Sequence, residues 1–208
     1  CTSVNDVVCH GIPSASEVLK DGDIINVDVT SVLPAKNGYY GDNSATFYVG
    51  TPSLLAQHVV EVCRESLEIG LAQVKPGNYT GDIGHAIQKF AESKGCSVVK
   101  EYTGHGIGRV FHGPPNISHY GRARSGMKIR KGMCFTVEPM INLMGPDIYH
   151  PDDWTVKTTD GCLSAQFEHT VWVTAKGCEV LTARHSRLKN SEDKPYSKLG
   201  ALSCYMGE

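Results

Sequence analysis

The sequence lacks a membrane-length hydrophobic run, an excess of basic residues and any closely paired cysteines. No apolar stretch approaches the roughly 18 residues of a membrane span, so we expect no membrane association. A formal net charge of −2 argues against nucleic-acid binding, which requires a basic surface. The eight cysteines form no C-x-x-C pair, which argues against a structural zinc site, and a disulfide framework is not expected in a chain of 208 residues. We therefore expect reduced thiols and a cytoplasmic protein.

The remaining composition is that of a soluble globular domain. Hydrophobic residues make up 40% of the chain and charged residues 20%, which is enough apolar material for a sizeable core. We predict one folded domain over residues 1–183 and a polar C-terminal tail over residues 184–208. The chain begins with Cys1 and not with methionine, which indicates a processed product or a fragment.

Two stretches alternate between apolar and polar residues and carry an acid on the polar side. Residues 22–30 place Asp28 on the polar side of a predicted strand, and residues 42–49 begin with Asp42. Between them, Pro34 and the pair Asn37-Gly38 are typical of a turn, so we predict a hairpin with both acids facing the same way. Residues 132–138 and 164–173 repeat the pattern with Glu138 and Glu168.

Two helices and a glycine-rich histidine segment separate these pairs. The spacing of apolar residues predicts helices over 53–74 and 81–93, with Thr80 as the N-cap of the second, and both would cover an apolar sheet face. Residues 104–108 surround His105 with three glycines, so the backbone there can approach another group closely. The Lys-Ser/Thr ending of a phosphate-binding loop is missing. His112 follows seven residues after His105.

The four acids and the histidine between the two pairs indicate a metal site. Acids on the polar side of a strand usually face solvent, but four at matching positions are too regular for independent surface groups. If the two hairpins join into one sheet, the four carboxylates share one concave face and repel one another without cations. Oxygen ligands with one histidine suit hard or borderline divalent ions, which activate water near neutral pH, so we expect hydrolytic chemistry.

At these residues the chain resembles the type I methionine aminopeptidases. The resemblance rests on VCHGIP at 8–13, NVDVT at 26–30, GDNS at 41–44, GHGIG at 104–108, FTVEPM at 135–140, DWTVKT at 153–158 and SAQFEHT at 164–170. It implies an α+β pita-bread fold of the creatinase/aminopeptidase type, a pseudo-two-fold curved antiparallel sheet with helices on its outer face. It also implies removal of the initiator methionine from proteins and peptides whose second residue is small.

The resemblance also implies roles for individual residues. Two divalent ions (Co, Mn, Fe or Zn) would be held by Asp28 on one side, His105 and Glu138 on the other, and Asp42 and Glu168 between them. Glu138 would also accept the proton of the attacking water. The implied substrate contacts are His112 to the carbonyl, His10 to the scissile amide, and Phe111, Trp154 and Cys1 around the methionine side chain.

The family has an N-terminal helical portion that would precede Cys1. Without it, five residues on the outer face of the first hairpin should face water: Ile25, Val27, Val29, Phe47 and Val49. We therefore expect a fragment that is poorly stable or weakly active alone.

Other readings differ in substrate or in activity. A proline-directed peptidase (prolidase or aminopeptidase P) would share the five ligands, but it usually has a second histidine where this chain has Arg109. An inactive fragment or a non-catalytic binding module on the same fold is the remaining alternative. The expected partner is the N-terminus of a peptide or nascent protein, with association at the ribosome and a monomeric state.

Overall fold

The computed structural model describes residues 1–183, so the predicted tail at 184–208 lies outside the described residues. Two helices lie among these residues, α1 (Leu54–Leu71) and α2 (Thr80–Ser93). The strands before and between the helices and the histidine segment are β1 (Thr2–Val4), β2 (Val7–Cys9), β3 (Ile24–Leu33), β4 (Tyr39–Tyr48), β5 (Ser97–Val98), β6 (Gly104–Gly106) and β7 (Gly113–Ile117). The later strands are β8 (Cys134–Val137), β9 (Met140–Asn142), β10 (Ile148–Tyr149), β11 (Val156–Thr158), β12 (Ser164–Gln166), β13 (Glu168–Val173) and β14 (Cys178–Val180).

The predicted first hairpin is confirmed. Strands β3 and β4 pair antiparallel over ten residues each, with Asp28 opposite Ser44 and Thr30 opposite Asp42. Residues two positions apart on paired strands lie on the same face, so Asp28 and Asp42 are diagonal neighbours on one side of the sheet. Strand β4 begins at Tyr39, before the predicted start of the second strand at Asp42.

The two acid-bearing halves join into one sheet, in the order β1-β3-β4-β13-β8-β6-β7. The joint is the antiparallel pair of β4 and β13, in which Glu168 lies opposite Ser44. On the other side of β13, Thr170 lies opposite Thr136 of β8. The curved antiparallel sheet of the expected fold is therefore confirmed.

The prediction of one strand over residues 164–173 is wrong, because the chain divides at Phe167 into β12 and β13. Strand β12 leaves the large sheet and pairs with β9 in a separate sheet, in the order β12-β9-β5. The physical reason is the carbonyl of Gln166, which accepts hydrogen bonds of 2.8 Å from the side chains of Asn26 and Thr46 on β3 and β4. These side-chain hydrogen bonds take the place of backbone strand pairing at Gln166, where the chain passes from one sheet to the other.

The two helices begin at different kinds of cap. At α1, Ser53 is the N-cap and its hydroxyl accepts the amide of Ala56. At α2 the prediction of Thr80 as N-cap is wrong, because the cap is Tyr79, whose amide donates to the Asp82 carboxylate at 2.7 Å. Thr80 instead accepts the amide of Met127 at its hydroxyl, which ties the helix to a later loop. Neither helix of the described residues has the length and hydropathy to cross a bilayer.

The two helices cover an apolar face, as predicted, and the main hydrophobic core lies beneath them and includes Ile24 and Ala45 of the first hairpin. Helix α1 contacts β8, β9 and β12, and α2 packs on α1, β5 and β7. The largest fully buried apolar side chains of this core are Phe135, Ile24, Ile83, Ile87, Ile117, Ile129 and Ile141. The expectation that five residues on the outer face of the first hairpin face water is confirmed only for Val29, which is 57% exposed. It is wrong for the other four, because Ile25, Val27 and Val49 are partly buried and Phe47 packs against the core.

Candidate metal centre and substrate site

Three predicted ligands from three strands meet inside the curved sheet. Asp42 on β4, His105 on β6 and Glu168 on β13 each present one ligand atom, and these atoms lie within 4.8 Å of one another. Asp42 and Glu168 are 5% and 2% exposed, so neither carboxylate is a solvated surface acid. The alternation of each strand turns these side chains to the polar inner face, while apolar neighbours face the helices.

The other two predicted ligands flank this group. Glu138, directly after β8, places Oε1 at 3.7 Å from His105 Nε2, which is also 3.7 Å from Asp42 Oδ2. Asp28 on β3 is the diagonal neighbour of Asp42, and the charge of Asp42 helps to raise its pKa. The structure thus brings all five predicted ligands to one side of one sheet.

Burial in the fold raises the pKa of three of the carboxyl groups, so that they ionise less readily than they would in water. Burial, followed by the charges of Asp42 and Asp28, raises the pKa of Glu138 to about 8. Burial and then the charge of Asp42 raise the pKa of Asp28 to about 6. The pKa of Glu168 also rises well above its ordinary value, first through burial and then through the neighbouring carboxylates. Such a cluster is destabilising unless cations neutralise it.

The donor set fits divalent cations. Glu168 Oε1 is buried and has no hydrogen-bond partner among the described residues, although a carboxylate oxygen buried in this way normally has one. The two distances of 3.7 Å from His105 Nε2 to carboxylate oxygens are too long for hydrogen bonds. An ion among these atoms would satisfy the orphaned oxygen and compensate the buried charge, and oxygen ligands with one imidazole suit Mn, Fe, Co or Zn.

Neighbouring hydroxyl and carbonyl groups orient the predicted ligands. The Thr30 hydroxyl donates to Asp42 Oδ1 at 2.9 Å, and the Thr136 hydroxyl donates to Glu138 Oε1 at 2.7 Å. Burial lowers the pKa of His105, but the Asp42 carboxylate, the Gly106 carbonyl and the charge of Glu138 outweigh it, so its pKa is raised. The Nδ1 atom of His105 therefore faces the Gly106 carbonyl, and its Nε2 atom faces the Asp42 and Glu138 carboxylates.

Phe111 and His112 lie directly beside His105, the predicted histidine ligand. The His105 and His112 rings have centroids 4.3 Å apart, and Phe111 meets the edge of His105 at 5.6 Å. Phe111 also stacks on Tyr40 at 5.3 Å. Burial and then the charge of His105 lower the pKa of His112, so its imidazole is neutral near pH 7 and can donate one hydrogen bond.

His10 and Trp154 form a second aromatic group from the other predicted substrate contacts. Their rings stack at 4.9 Å, and Tyr102 meets the His10 ring edge at 5.3 Å. His10 has a φ of 58°, an uncommon backbone conformation for a residue other than glycine, directly before Gly11. The charge of His112 contributes to the lowered pKa of His10, behind burial, so the two histidines lie within electrostatic reach of each other.

Cys1 lies at the edge of the sheet beside a predicted ligand. Its terminal ammonium donates to the carbonyl of Asp28 at 2.9 Å, and its own carbonyl accepts the Asp28 amide at 3.0 Å. The Cys1 side chain is exposed.

Sequence reasoning missed His119, which supports Glu138 from behind. His119 is 1% exposed, and its Nε2 accepts the backbone amide of Glu138 at 3.0 Å. Burial lowers the pKa of His119 to about 3, so the ring is neutral and Nε2 is available as an acceptor. The sequence offers no signal for this role, because the contact joins residues 19 positions apart through the fold.

The sequence matches a known protein family and is similar to named bacterial proteins. The family model described as metallopeptidase family M24 matches residues 1–175. Methionine aminopeptidase A of Synechocystis sp. is 55% identical over 183 residues, which cover 88% of this chain and 71% of that relative. The methionine aminopeptidase of Escherichia coli is 50% identical over 185 residues, covering 88% and 69% of the two chains.

Solved structures agree with the sequence relatives. The methionine aminopeptidase structure from Rickettsia prowazekii superposes with a TM-score of 0.84 at 50% identity, covering 88% of this chain and 73% of that chain. The structure from Thermotoga maritima gives 0.85 at 41% identity with the same coverage. The prolidase from Pyrococcus horikoshii gives 0.67 at 21% identity and covers 48% of that chain, which shows the shared fold alone.

Proposed function

This chain belongs to metallopeptidase family M24, and from that premise we propose that it removes N-terminal methionine from peptides and proteins whose second residue is small. The observation that carries the proposal is the buried group of Asp42, His105 and Glu168, flanked by Asp28 and Glu138, in a chain 50–55% identical to methionine aminopeptidases. The prolidases of the same fold are far more distant in sequence.

In this proposal two divalent ions occupy the acid cluster. Asp28 on one side, His105 and Glu138 on the other, and Asp42 and Glu168 between them would hold these ions. When bound, Co, Mn, Fe or Zn ions supply Lewis acidity that polarises the substrate carbonyl and lowers the pKa of water. The orphaned Glu168 oxygen and the raised pKa values of the carboxyl groups support cation binding.

Glu138 is the proposed proton carrier. Its Oε1 already accepts the Thr136 hydroxyl, whereas the contact of Oε2 with the Gln166 amide is 3.5 Å long. Oε2 is therefore the atom that accepts a proton from water and returns it to the leaving amine. The bond from the Glu138 amide to His119 holds the backbone of this residue in place during both transfers.

The two aromatic groups are the proposed substrate contacts. His112 donates a hydrogen bond to the substrate carbonyl and His10 contacts the scissile amide, for which both rings are neutral and partly accessible. Phe111 and Trp154 line the pocket for the methionine side chain, with Cys1 at its edge. Sulfur packs favourably against aromatic ring edges, which suits a pocket of this composition.

Peptide turnover tests the proposal directly. The metal-loaded protein is expected to release methionine from Met-Ala-Ser and not to cleave Xaa-Pro peptides. Asp42→Asn should lose both bound metal, measured by elemental analysis, and turnover, while the exposed Asp153→Asn should keep both. Cleavage of Xaa-Pro peptides only would indicate a proline-directed enzyme, and metal binding without any turnover would indicate a binding module.

We propose the cytoplasm as the place of action, with a monomer acting on nascent N-termini at the ribosome. Buried free thiols at Cys9, Cys63 and Cys96 support a reducing compartment. Association with ribosomes follows from the substrate, since a nascent N-terminus first becomes accessible there. Cell fractionation, sedimentation with ribosomes and light scattering of the purified protein test the three parts separately.

A further inference from the structure

The segment that carries Phe111 and His112 has little support of its own. Residues 107–112 connect β6 to β7 without regular secondary structure, and three glycines, Gly106, Gly108 and Gly113, lie in or beside it. Val110 is 65% exposed and His112 is also exposed, so packing at these two positions contributes little to the order of the segment. Glycine-rich backbone loses much conformational freedom when it is held in one conformation. Contacts with another part of the chain are therefore needed to hold the Phe111 and His112 rings in fixed positions.

The tip of the first hairpin makes that contact. The Arg109 guanidinium donates from Nε to Tyr39 Oη and from Nη1 to the Asn37 carbonyl, both at 3.2 Å. The same guanidinium lies over the Tyr39 ring at 4.7 Å, and the Tyr40 amide donates to the Gly108 carbonyl at 2.8 Å. We call Arg109, Tyr39 and Asn37 the clasp. It joins parts of the chain about 70 residues apart, since Arg109 and Tyr39 differ by 70 positions.

The clasp leads directly into the site. Tyr40, next to Tyr39, stacks on Phe111 with ring planes 21° apart. Phe111 in turn contacts His112 at 3.8 Å and the ligand His105 at 5.6 Å. A shift of the hairpin tip would therefore move the Phe111 ring and change the shape of the pocket that it lines.

We propose that Arg109 and Tyr39 are positioning residues that set the specificity of the site for the amino acid at the substrate N-terminus. This rests on the proposed function, in which Phe111 lines the methionine pocket. Neither residue touches the substrate in this arrangement. Their effect is exerted through Tyr40 and Phe111, so their loss should reduce discrimination between substrates more than it reduces folding stability.

The experiment compares Arg109→Ala with two conservative variants and a matched control. Arg109→Lys keeps the charge but cannot reach both acceptors, and Tyr39→Phe keeps the ring but removes the hydroxyl acceptor. Arg130→Ala removes an arginine that is also exposed and makes no ion pair among residues 1–183. Each protein is loaded with the same metal, and kcat and KM are measured for Met-Ala-Ser and Leu-Ala-Ser.

Arg109→Ala should lower kcat/KM for Met-Ala-Ser by about five- to tenfold, the effect of one or two exposed hydrogen bonds and a cation–π contact. It should also reduce the ratio of kcat/KM for Met-Ala-Ser to kcat/KM for Leu-Ala-Ser. The values for Arg109→Lys and Tyr39→Phe should lie between those of the wild type and Arg109→Ala. Metal content should match that of Arg130→Ala, and the melting temperature should lie within a few degrees of that of Arg130→Ala. If Arg109→Ala and Arg130→Ala have equal kcat/KM values for Met-Ala-Ser and equal ratios of kcat/KM between the two substrates, the clasp does not set specificity and the proposal is wrong.

Hydrogen exchange separates failure of the clasp from failure of the proposed function. Amides of residues 106–113 should exchange faster in Arg109→Ala than in Arg130→Ala, whether or not the protein cleaves methionine. If the wild type does not cleave Met-Ala-Ser but amide exchange of residues 106–113 is faster in Arg109→Ala, the proposed function is wrong and the ordering of this segment by the clasp is confirmed. If exchange in this segment is the same in both variants, the clasp is wrong.

Discussion

Glu138→Gln should make the metal-free protein more stable at pH 8, although it removes a proposed metal ligand and proton carrier. The reason is the buried carboxyl group, whose pKa rises from its ordinary 4.5 to about 8 on folding. Between those pH values the folded state binds more protons at this group than the unfolded state does. The free energy of unfolding must therefore fall as the pH rises through this window.

The magnitude follows from the width of the window. One pKa unit corresponds to about 1.4 kcal/mol, so the raised pKa of Glu138 lowers the free energy of unfolding by about 2 kcal/mol at pH 6 and about 4 kcal/mol at pH 8, compared with pH 4. A glutamine side chain has nearly the same shape, carries no charge, and can still accept the Thr136 hydroxyl. The variant should regain most of this free energy at pH 8, about half as much at pH 6, and almost none at pH 4.

Urea denaturation of chelator-treated protein at pH 4, 6 and 8 measures these differences. The exposed Glu179→Gln on β14 is the matched control and should change the free energy of unfolding little at any pH. Added Mn or Co should reverse the order, because the wild type gains binding energy that the variant loses. A metal-free Glu138→Gln protein that is no more stable than the wild type at pH 8 would refute the electrostatic reasoning.

Three further predictions concern metal binding and folding. Glu168→Gln should bind Mn at least about 100-fold more weakly by calorimetry, since a ligand is lost, and unchanged affinity would remove this residue from the metal centre. Ile141→Ala should lower the free energy of unfolding by about 2–5 kcal/mol in urea titrations because it leaves a core cavity, whereas Ile12→Ala, at a side chain 58% exposed, should cost little. Asp82→Ala should cost about 1–2 kcal/mol on the same scale, because the carboxylate caps α2 and also accepts the Arg124 amide at 2.7 Å; a variant as stable as the wild type would contradict the cap.

Several features of the fold were predictable because they depend on neighbours in the chain. Alternation along residues 22–30 and 42–49 sets which side chains share a face, and the Asn37-Gly38 pair marks the turn between them. The apolar spacing that predicts helices at 53–74 and 81–93 is likewise local, and both helices are present as α1 and α2.

The errors arise where distant residues compete with a local preference. The strand over 164–173 breaks because side chains of Asn26 and Thr46, at least 120 positions away, take the Gln166 carbonyl. Thr80 has the residue type of an N-cap, but its hydroxyl bonds to the amide of Met127 and the cap moves to Tyr79. Neither contact leaves a pattern in a window of ten or twenty residues.

The sequence by itself determined the types of the candidate ligands and the face on which each of them lies, because residue type and strand alternation are properties of short segments. Only the tertiary structure decided that these faces meet. The pairing of β4 with β13 brings Asp42 and Glu168 together across more than 120 residues, and β6 places His105 beside both. The positioning contacts of His119 and Arg109 were decided in the same way, since each depends on a backbone group or side chain that reaches it only after the sheet has closed.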